Sequence, residues 1–255
     1  MINRTGEDCF VPKYGKYDRR LDISYACGAF PSLELLKRRP EHIRALLLSS
    51  DSGMNSGAVK LKDACLERGI YVETAPRAIE RICGKENCSA VAVFSKYESF
   101  LAKDEPHIVL HNISDAGNFG TILRTALGFG FRDVAVIKPC VDVFSPQAVR
   151  ASMGALFSIN VRAYENFDEY ENNFPAHRKY FFRLKNAASL HEAAIEGLPS
   201  LVFGNESAGL PENLLARETG VCIHHGAEID SLNLAVAAGI GIAHFSNKLG
   251  INQSS

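Results

Sequence analysis

Residues 107–136, HIVLHNISDAGNFGTILRTALGFGFRDVAV, constrain the fold more than any other stretch of the chain. A short apolar run, Ile108 to Leu110, gives way to a polar loop containing Gly117, Asn118 and Gly120. Beyond the loop, Ile122, Leu123, Ala126 and Leu127 recur at the spacing that lines one face of a helix. A second apolar run, Val134 to Ile137, follows Gly128 and Gly130. Strand, helix, strand in this order is the unit from which parallel sheets are built. Arg124 stands out on the helix, a turn or so beyond Asn118 among apolar and small neighbours.

The same alternation continues on both sides, so the fold class is α/β. Towards the N-terminus, Leu33, Leu35 and Leu36 predict a short helix, Ile43 to Leu48 a strand, and Ala58 to Arg68 an amphipathic helix stopped by Gly69. Ile70 to Val72 and Ala90 to Phe94 read as further strands, and residues 49–57 as a loop. The charged stretch Lys96 to Pro106 is a natural boundary, which divides the chain into a smaller α/β domain, 1–104, and a larger one, 105–255. In the larger part, Ser145 and Pro146 signal the start of a helix running through Arg150, Met153 and Leu156. Glu165 to Asn173 is polar and acidic, Tyr180 to Phe182, Leu201 to Phe203 and Val221 to Ile223 are strand-like, and Ser231 to Phe245 reads as a long apolar helix.

A net charge of −1 argues against nucleic-acid binding by bulk electrostatics and leaves room only for a local basic face. The part up to Glu105 is mildly basic and the remainder mildly acidic, so a polyanion would favour the former. Lys13, Lys16, Arg19 and Arg20 alternate with Tyr14 and Tyr17 near the N-terminus, which reads either as a loose chain end or as an arm that touches a phosphate backbone. No apolar run suits a membrane span and no signal-peptide core is present, so the chain is expected in the cytosol. Seven cysteines at irregular spacing fit a reduced compartment, and the close pair Cys83 and Cys88 has no second pair to complete a metal site.

Three loops follow three apolar strands: Asn112 to Gly120, Gly204 to Pro211, and His224 to Ser231. In a parallel sheet such loops share one edge, where ligands bind, so they are expected to converge. Their polar groups are Asn118, Arg124, Glu206, Ser231 and Asn233, and glycines 117, 120, 204, 209 and 226 offer close approach of backbone to a ligand. The segments NFGTILRTALGFG, VFGNESAGLPE and SLNLAVAAGIGI, in this order, resemble the three motifs of the SpoU family of RNA ribose 2'-O-methyltransferases. The resemblance runs from about Pro106 to the C-terminus, and residues 25–100 more loosely resemble the ribosomal-protein-like RNA-binding domain that often precedes it.

The resemblance implies a parallel sheet with a deep trefoil knot, S-adenosylmethionine bound in the knot, a homodimer with the active site near the subunit interface, and an RNA substrate, ribosomal rather than transfer RNA. It implies catalytic positions at Asn118, Arg124, Glu206, Ser231 and Asn233, and contacts to the adenosine of the cofactor from Gly204, Ile223 and Leu232. Arg124 would pair with the target phosphate and stabilise negative charge on the ribose oxygen, because a guanidinium is not deprotonated in proteins. Glu206 would orient Arg124 or the loop. Ala116 stands where the family commonly has proline, which loosens the loop before Asn118, and His224 and His225 stand where it has proline and methionine.

Each of these residues also has a plain structural reading. Arg124 could be a solvated surface residue, Asn118 and Glu206 caps or turn residues, and Ser231 the N-cap of the last helix. His224 and His225, as neighbours in a strand, would face opposite ways and bind no metal. The competing functions are a catalytically inactive RNA-binding protein, a transfer-RNA methyltransferase, and a nucleotide-dependent oxidoreductase; the last lacks the glycine-rich turn with its acidic partner.

Overall fold

The computed structural model describes residues 14–50, 55–84, 88–216 and 220–251. Lys13 and part of the 49–57 loop lie outside them. The N-terminal part is a four-stranded sheet, made by β1 (Ile23–Cys27), β2 (Ile43–Leu48), β3 (Val72–Thr74) and β4 (Ala90–Ser95) in the order β1-β4-β2-β3. Its helices are α1 (Ala29–Arg38), α2 (Ser56–Glu67) and α3 (Pro76–Cys83). The strands at 43–48 and 90–95 and the first two helices fall where periodicity predicts them. β1 does not, because Ser24 and Tyr25 break up its apolar content, and α3 does not, because so short a helix shows no long-range period.

The C-terminal part is a seven-stranded sheet of β5 (His107–His111), β6 (Asp133–Ile137), β7 (Asn160–Tyr164), β8 (His177–Phe182), β9 (Ala188–Ser189), β10 (Leu198–Phe203) and β11 (Gly220–Cys222). The order is β7-β6-β5-β10-β8-β11-β9, and every pairing is parallel. Around it lie α4 (Ala116–Gly128), α5 (Pro146–Ala151), α6 (Phe167–Asn173), α7 (Glu212–Leu215) and α8 (Leu234–Leu249). Alternate side chains of a strand belong to opposite faces. Ile108 and Leu110 accordingly pack into the large core beneath α4 and α8, while Val109 joins Tyr170 and Phe181 on the face of α6.

Several boundaries differ from expectation. α5 stops at Ala151, because Met153 (φ 47°) and Gly154 (φ 84°) take left-handed backbone that no helix can contain, and a single 3₁₀ turn follows at Ala155–Ser158. The acidic stretch contains α6, capped by Asn166, whose side chain accepts from the Glu169 amide. The last helix starts at Leu234, and its cap is Asn233, not Ser231: the Asn233 Oδ1 accepts from the amides of Ala235 (2.9 Å) and Val236 (3.3 Å). β11 ends at Cys222, so His224 and His225 lie in a loop, and the argument from opposite strand faces does not apply to them.

The two sheets share one apolar core. Phe94 of β4 meets Phe157 edge-on at 5.5 Å, and Ala26, Leu35 and Ala92 belong to the same buried cluster as α4 and α5. Polar ties reinforce the contact: the Ser24 hydroxyl donates to the Phe144 carbonyl, Tyr97 Oη to the Leu156 carbonyl at 3.3 Å, and Arg39 Nε to the Phe157 carbonyl at 3.3 Å. Of the N-terminal basic and aromatic residues, Tyr14 is buried against the four-stranded sheet and Tyr17 donates to Asp142. Lys16, Arg19 and Arg20 remain exposed. The described part of this segment is therefore anchored along the side of the molecule, and its charges face outward.

Candidate functional site

The strand order brings the C-terminal ends of β5, β10, β8 and β11 side by side, so the loops that follow them meet at one edge. The loop after β10 is a tight unit. Asn205 and Gly209 exchange two backbone hydrogen bonds of 3.0 Å, and the Asn205 Oδ1 accepts from the amides of Ser207 and Ala208 at 2.9 Å. A β-carbon on Gly204 would stand 2.3 Å from the Gly209 carbonyl carbon, so the loop can close on itself only over a glycine. Asn205 also reaches across to the next strand, donating from Nδ2 to the Asn112 carbonyl at 2.8 Å.

Closure of that loop sets Glu206 over the start of α4. Its Oε1 accepts from the Asp115 amide (3.2 Å) and from Asn118 Nδ2 (3.3 Å), and its Oε2 from the Ser114 hydroxyl (3.3 Å) and Asn205 Nδ2 (3.1 Å). Burial works to raise the pKa of this carboxyl, but the donors outweigh it and the net shift is downward, so Glu206 is an anion that holds a loop. Asn118 passes the link on, its Oδ1 accepting from Asn233 Nδ2 at 3.1 Å. The direction of every amide in this relay is fixed by its ends. A carboxylate only accepts and a backbone N–H only donates, so Asn118 must turn its nitrogen to Glu206 and Asn233 its oxygen to α8.

Three predicted residues, Asn118, Glu206 and Asn233, are thus joined in one chain of hydrogen bonds. Ser231 lies outside the chain and lines the neighbouring cavity. Arg124 is exposed on α4 and makes no hydrogen bond or ion pair among the described residues. Of the two roles expected for Glu206, orienting Arg124 or the loop, its hydrogen bonds within one subunit are those of the second. Ala116 in place of proline leaves no slack, because Asp115 caps α4 through the Asn118 amide at 2.6 Å. Gly120 was expected to face a ligand, but a β-carbon there would meet Ala151 at 2.4 Å, so it serves the contact between α4 and α5.

Beside the relay lies a cavity of about 540 Å³. Gly204, Ile223 and Leu232 all line it, as do Glu206, Ser231 and His225. Phe182 and Phe203, stacked at 4.3 Å, form an aromatic wall. They come this close to α8 only because Gly241 has no side chain: a β-carbon there would stand 2.6 Å from Phe182 Cζ. The sequence reading missed the segment 182–186, which lines the cavity. The signal was present, since Tyr180 to Phe182 reads as an apolar strand and its following loop belongs to the same edge as the other three.

A knot of loops around a cavity at the carboxyl edge of a parallel sheet, with a polar relay at its mouth, defines a cofactor-binding α/β enzyme. Comparison with known proteins gives the family. Residues 105–243 match the SpoU rRNA Methylase family, and the chain belongs to it. It is 24% identical to an uncharacterised tRNA/rRNA methyltransferase of Synechocystis, over 78% of this chain and 79% of that protein. It is 30% identical to the 23S rRNA (guanosine(2553)-2'-O)-methyltransferase of Bacillus subtilis, over 60% of this chain and 62% of that protein. Among solved structures, the AdoMet-bound rRNA methyltransferase of Sinorhizobium meliloti superposes with a TM-score of 0.76 at 25% identity, covering 89% of this chain and 88% of that one. The fold is the trefoil-knotted parallel sheet of these methyltransferases.

Proposed function

We propose that this protein transfers a methyl group from S-adenosylmethionine to the 2'-oxygen of a ribose in ribosomal RNA. The observation that carries this reading is the relay Glu206–Asn118–Asn233 at the mouth of the cavity lined by Gly204, Ile223 and Leu232. The cavity suits the donor: its volume matches a nucleoside-sized ligand, its aromatic wall suits an adenine, and the closed 204–209 loop presents backbone. When bound, S-adenosylmethionine supplies an electrophilic methyl group on a sulfonium, and the protein must place the ribose oxygen in line with it.

Gly204, Ile223 and Leu232 hold the adenosine. Asn118 and Asn233 each use one amide N–H in the relay and keep a second for the substrate. Ser231, on the cavity wall, adds a hydroxyl. Glu206 does not take the ribose proton, because its oxygens already accept from four donors and its pKa is lowered; the proton passes to solvent water as the O–CH3 bond forms and the S–CH3 bond breaks. Arg124, whose guanidinium is unpaired among the described residues, is suited to a phosphate and to negative charge developing on the ribose oxygen.

α8 packs against α4, the helix that carries the exposed Arg124, and presents Val236 and Ile240 to solvent, 51% and 39% exposed. That apolar surface supports a homodimer in which the two active sites lie near the subunit contact. Residues 1–104 form the RNA-binding domain and 105–255 the methyltransferase. No helix among the described residues is long and apolar enough to cross a membrane, which is compatible with work on ribosomal RNA in the cytosol. The test is transfer of labelled methyl from S-adenosylmethionine to ribosomal and transfer RNA, followed by alkaline hydrolysis. A label retained in alkali-resistant dinucleotides of ribosomal RNA is expected; a label on bases, or none, rejects the reading.

A further inference from the structure

Arg183 is the first residue after β8, and its amide donates to the Val221 carbonyl at 3.0 Å, which carries its side chain onto the cavity wall. The guanidinium lies against Gly220, the first residue of β11. A β-carbon at Gly220 would stand 2.0 Å from Arg183 Nε and 2.5 Å from Cζ, so the glycine leaves open the seat that the guanidinium fills. Its Nε is buried and has no hydrogen-bond partner, and Arg183 is in no ion pair among the described residues.

A buried cationic N–H without an acceptor is costly, and no protein group among the described residues offsets that cost here. Lys185, two residues on, lines the same cavity. Against these two cations the cavity wall offers one carboxylate, Glu206, and its oxygens are occupied by donors from the 114–118 segment and Asn205. The wall formed by β8 and β11 therefore has positive charge to spare, and S-adenosylmethionine has a single anionic group.

We infer that Arg183, seated on Gly220 and assisted by Lys185, anchors the carboxylate of the methyl donor and so fixes which way the donor lies in the cavity. This rests on the reading of the cavity as the S-adenosylmethionine site. Arg183 is a binding residue in this scheme, and its fork of donors suits a carboxylate better than the point charge of a lysine would.

Calorimetry on the full chain, with S-adenosylmethionine and with its decarboxylated analogue, tests the inference. The wild type is expected to prefer the carboxylate-bearing ligand by roughly tenfold or more, the scale of a charge-assisted hydrogen bond. Arg183→Met should remove that preference and leave affinity for the analogue unchanged, and Arg183→Lys should keep part of it. Equal wild-type affinity for both ligands, or a preference that survives in Arg183→Met, overturns the anchor while leaving the cofactor reading intact. A wild type that binds neither ligand overturns both. Melting curves separate a misfolded variant from a binding defect, and the wild-type comparison alone decides if the variants do not fold.

Discussion

Asn118 and Glu206 are joined by a hydrogen bond of 3.3 Å across 88 residues of sequence. The bond ties the first turn of α4 to the loop after β10, and through Asn233 to the first turn of α8. Three motifs that are scattered along the chain become one rigid polar edge. That rigidity is what a methyl transfer requires, since the reacting atoms must be held in line and misplacement by about 1 Å costs on the order of a hundredfold in rate.

Glu206→Gln should break this edge while nearly preserving its shape. An amide nitrogen placed in either carboxylate position would face donors, from Asn118 and Asp115 on one side or Ser114 and Asn205 on the other. Losing charge-assisted bonds and creating that clash should cost about 2 kcal/mol of stability and at least tenfold in methyl transfer. Urea unfolding with a parallel transfer assay checks both; an unchanged unfolding midpoint would show the relay to be slack.

Asn233→Asp separates capping from positioning. The carboxylate still caps α8, so stability should stay within about 0.5 kcal/mol of wild type, whereas Asn233→Ala should lose about 1 kcal/mol with the cap. Both variants lose the donor to Asn118, and both should transfer methyl poorly. An Asn233→Asp protein with full activity would remove the Asn118 link from the mechanism.

Arg124→Ala should leave the melting temperature where it is, because the side chain is exposed and makes no hydrogen bond or ion pair among the described residues. Methyl transfer should fall by on the order of a hundredfold or more, the typical loss on removing a group that stabilises developing negative charge. S-adenosylmethionine affinity, read by calorimetry, should be unaffected. Wild-type turnover in this variant would take Arg124 out of the chemistry.

The opposite edge of the sheet predicts a pH dependence of stability. His107 bonds the Ala102 carbonyl (2.7 Å) and Tyr170 Oη (2.9 Å), and His177 bonds the Lys103 carbonyl (3.1 Å) and Ser200 Oγ (3.0 Å). Burial, with His177 adjacent, holds His107 down at about 4, and burial lowers His177 as well. In the unfolded chain these rings take up protons near 6.5. The unfolded state therefore binds more protons below that pH, and stability should fall as pH drops from about 6.5 towards 4 by up to about 1.4 kcal/mol per pH unit from His107, with His177 adding in the same direction. Urea midpoints at pH 7.5 and 5 measure this, and His107→Gln should flatten the dependence. A midpoint that does not move with pH would mean that folding leaves the proton affinity of these rings unchanged.

Lys16 and Arg19 are exposed on the segment that Tyr14 and Tyr17 anchor. Replacing both with glutamate should weaken RNA binding and reduce its dependence on salt by about two counterions' worth of slope, without destabilising the fold. Filter binding at several salt concentrations reads the slope directly, and an unaltered slope would exclude this face from RNA contact.

Apolar runs such as Ile43 to Leu48 and Ile108 to Leu110, and the helical spacing from Ile122 to Leu127, were legible because each residue's own transfer from water dictates its face, and that needs no knowledge of distant partners. The three-motif resemblance likewise picked out Gly204, Ile223 and Leu232, all of which line the cavity. What sequence could not supply was partner choice. Ser231 reads as the cap on paper, whereas Asn233 takes the role and its amide also reaches Asn118. Arg183 carries no signal in the sequence, because its seat, Gly220, belongs to the neighbouring strand β11. Helix stops such as Ala151 were hidden for the same reason, since the chain turns there to let Gly154 pass Glu34 of α1, where a β-carbon would stand 2.6 Å away. Periodicity is a local property of solvation, whereas hydrogen-bond partners and close contacts depend on which strand ends share an edge, and only the order β5-β10-β8-β11 decides that.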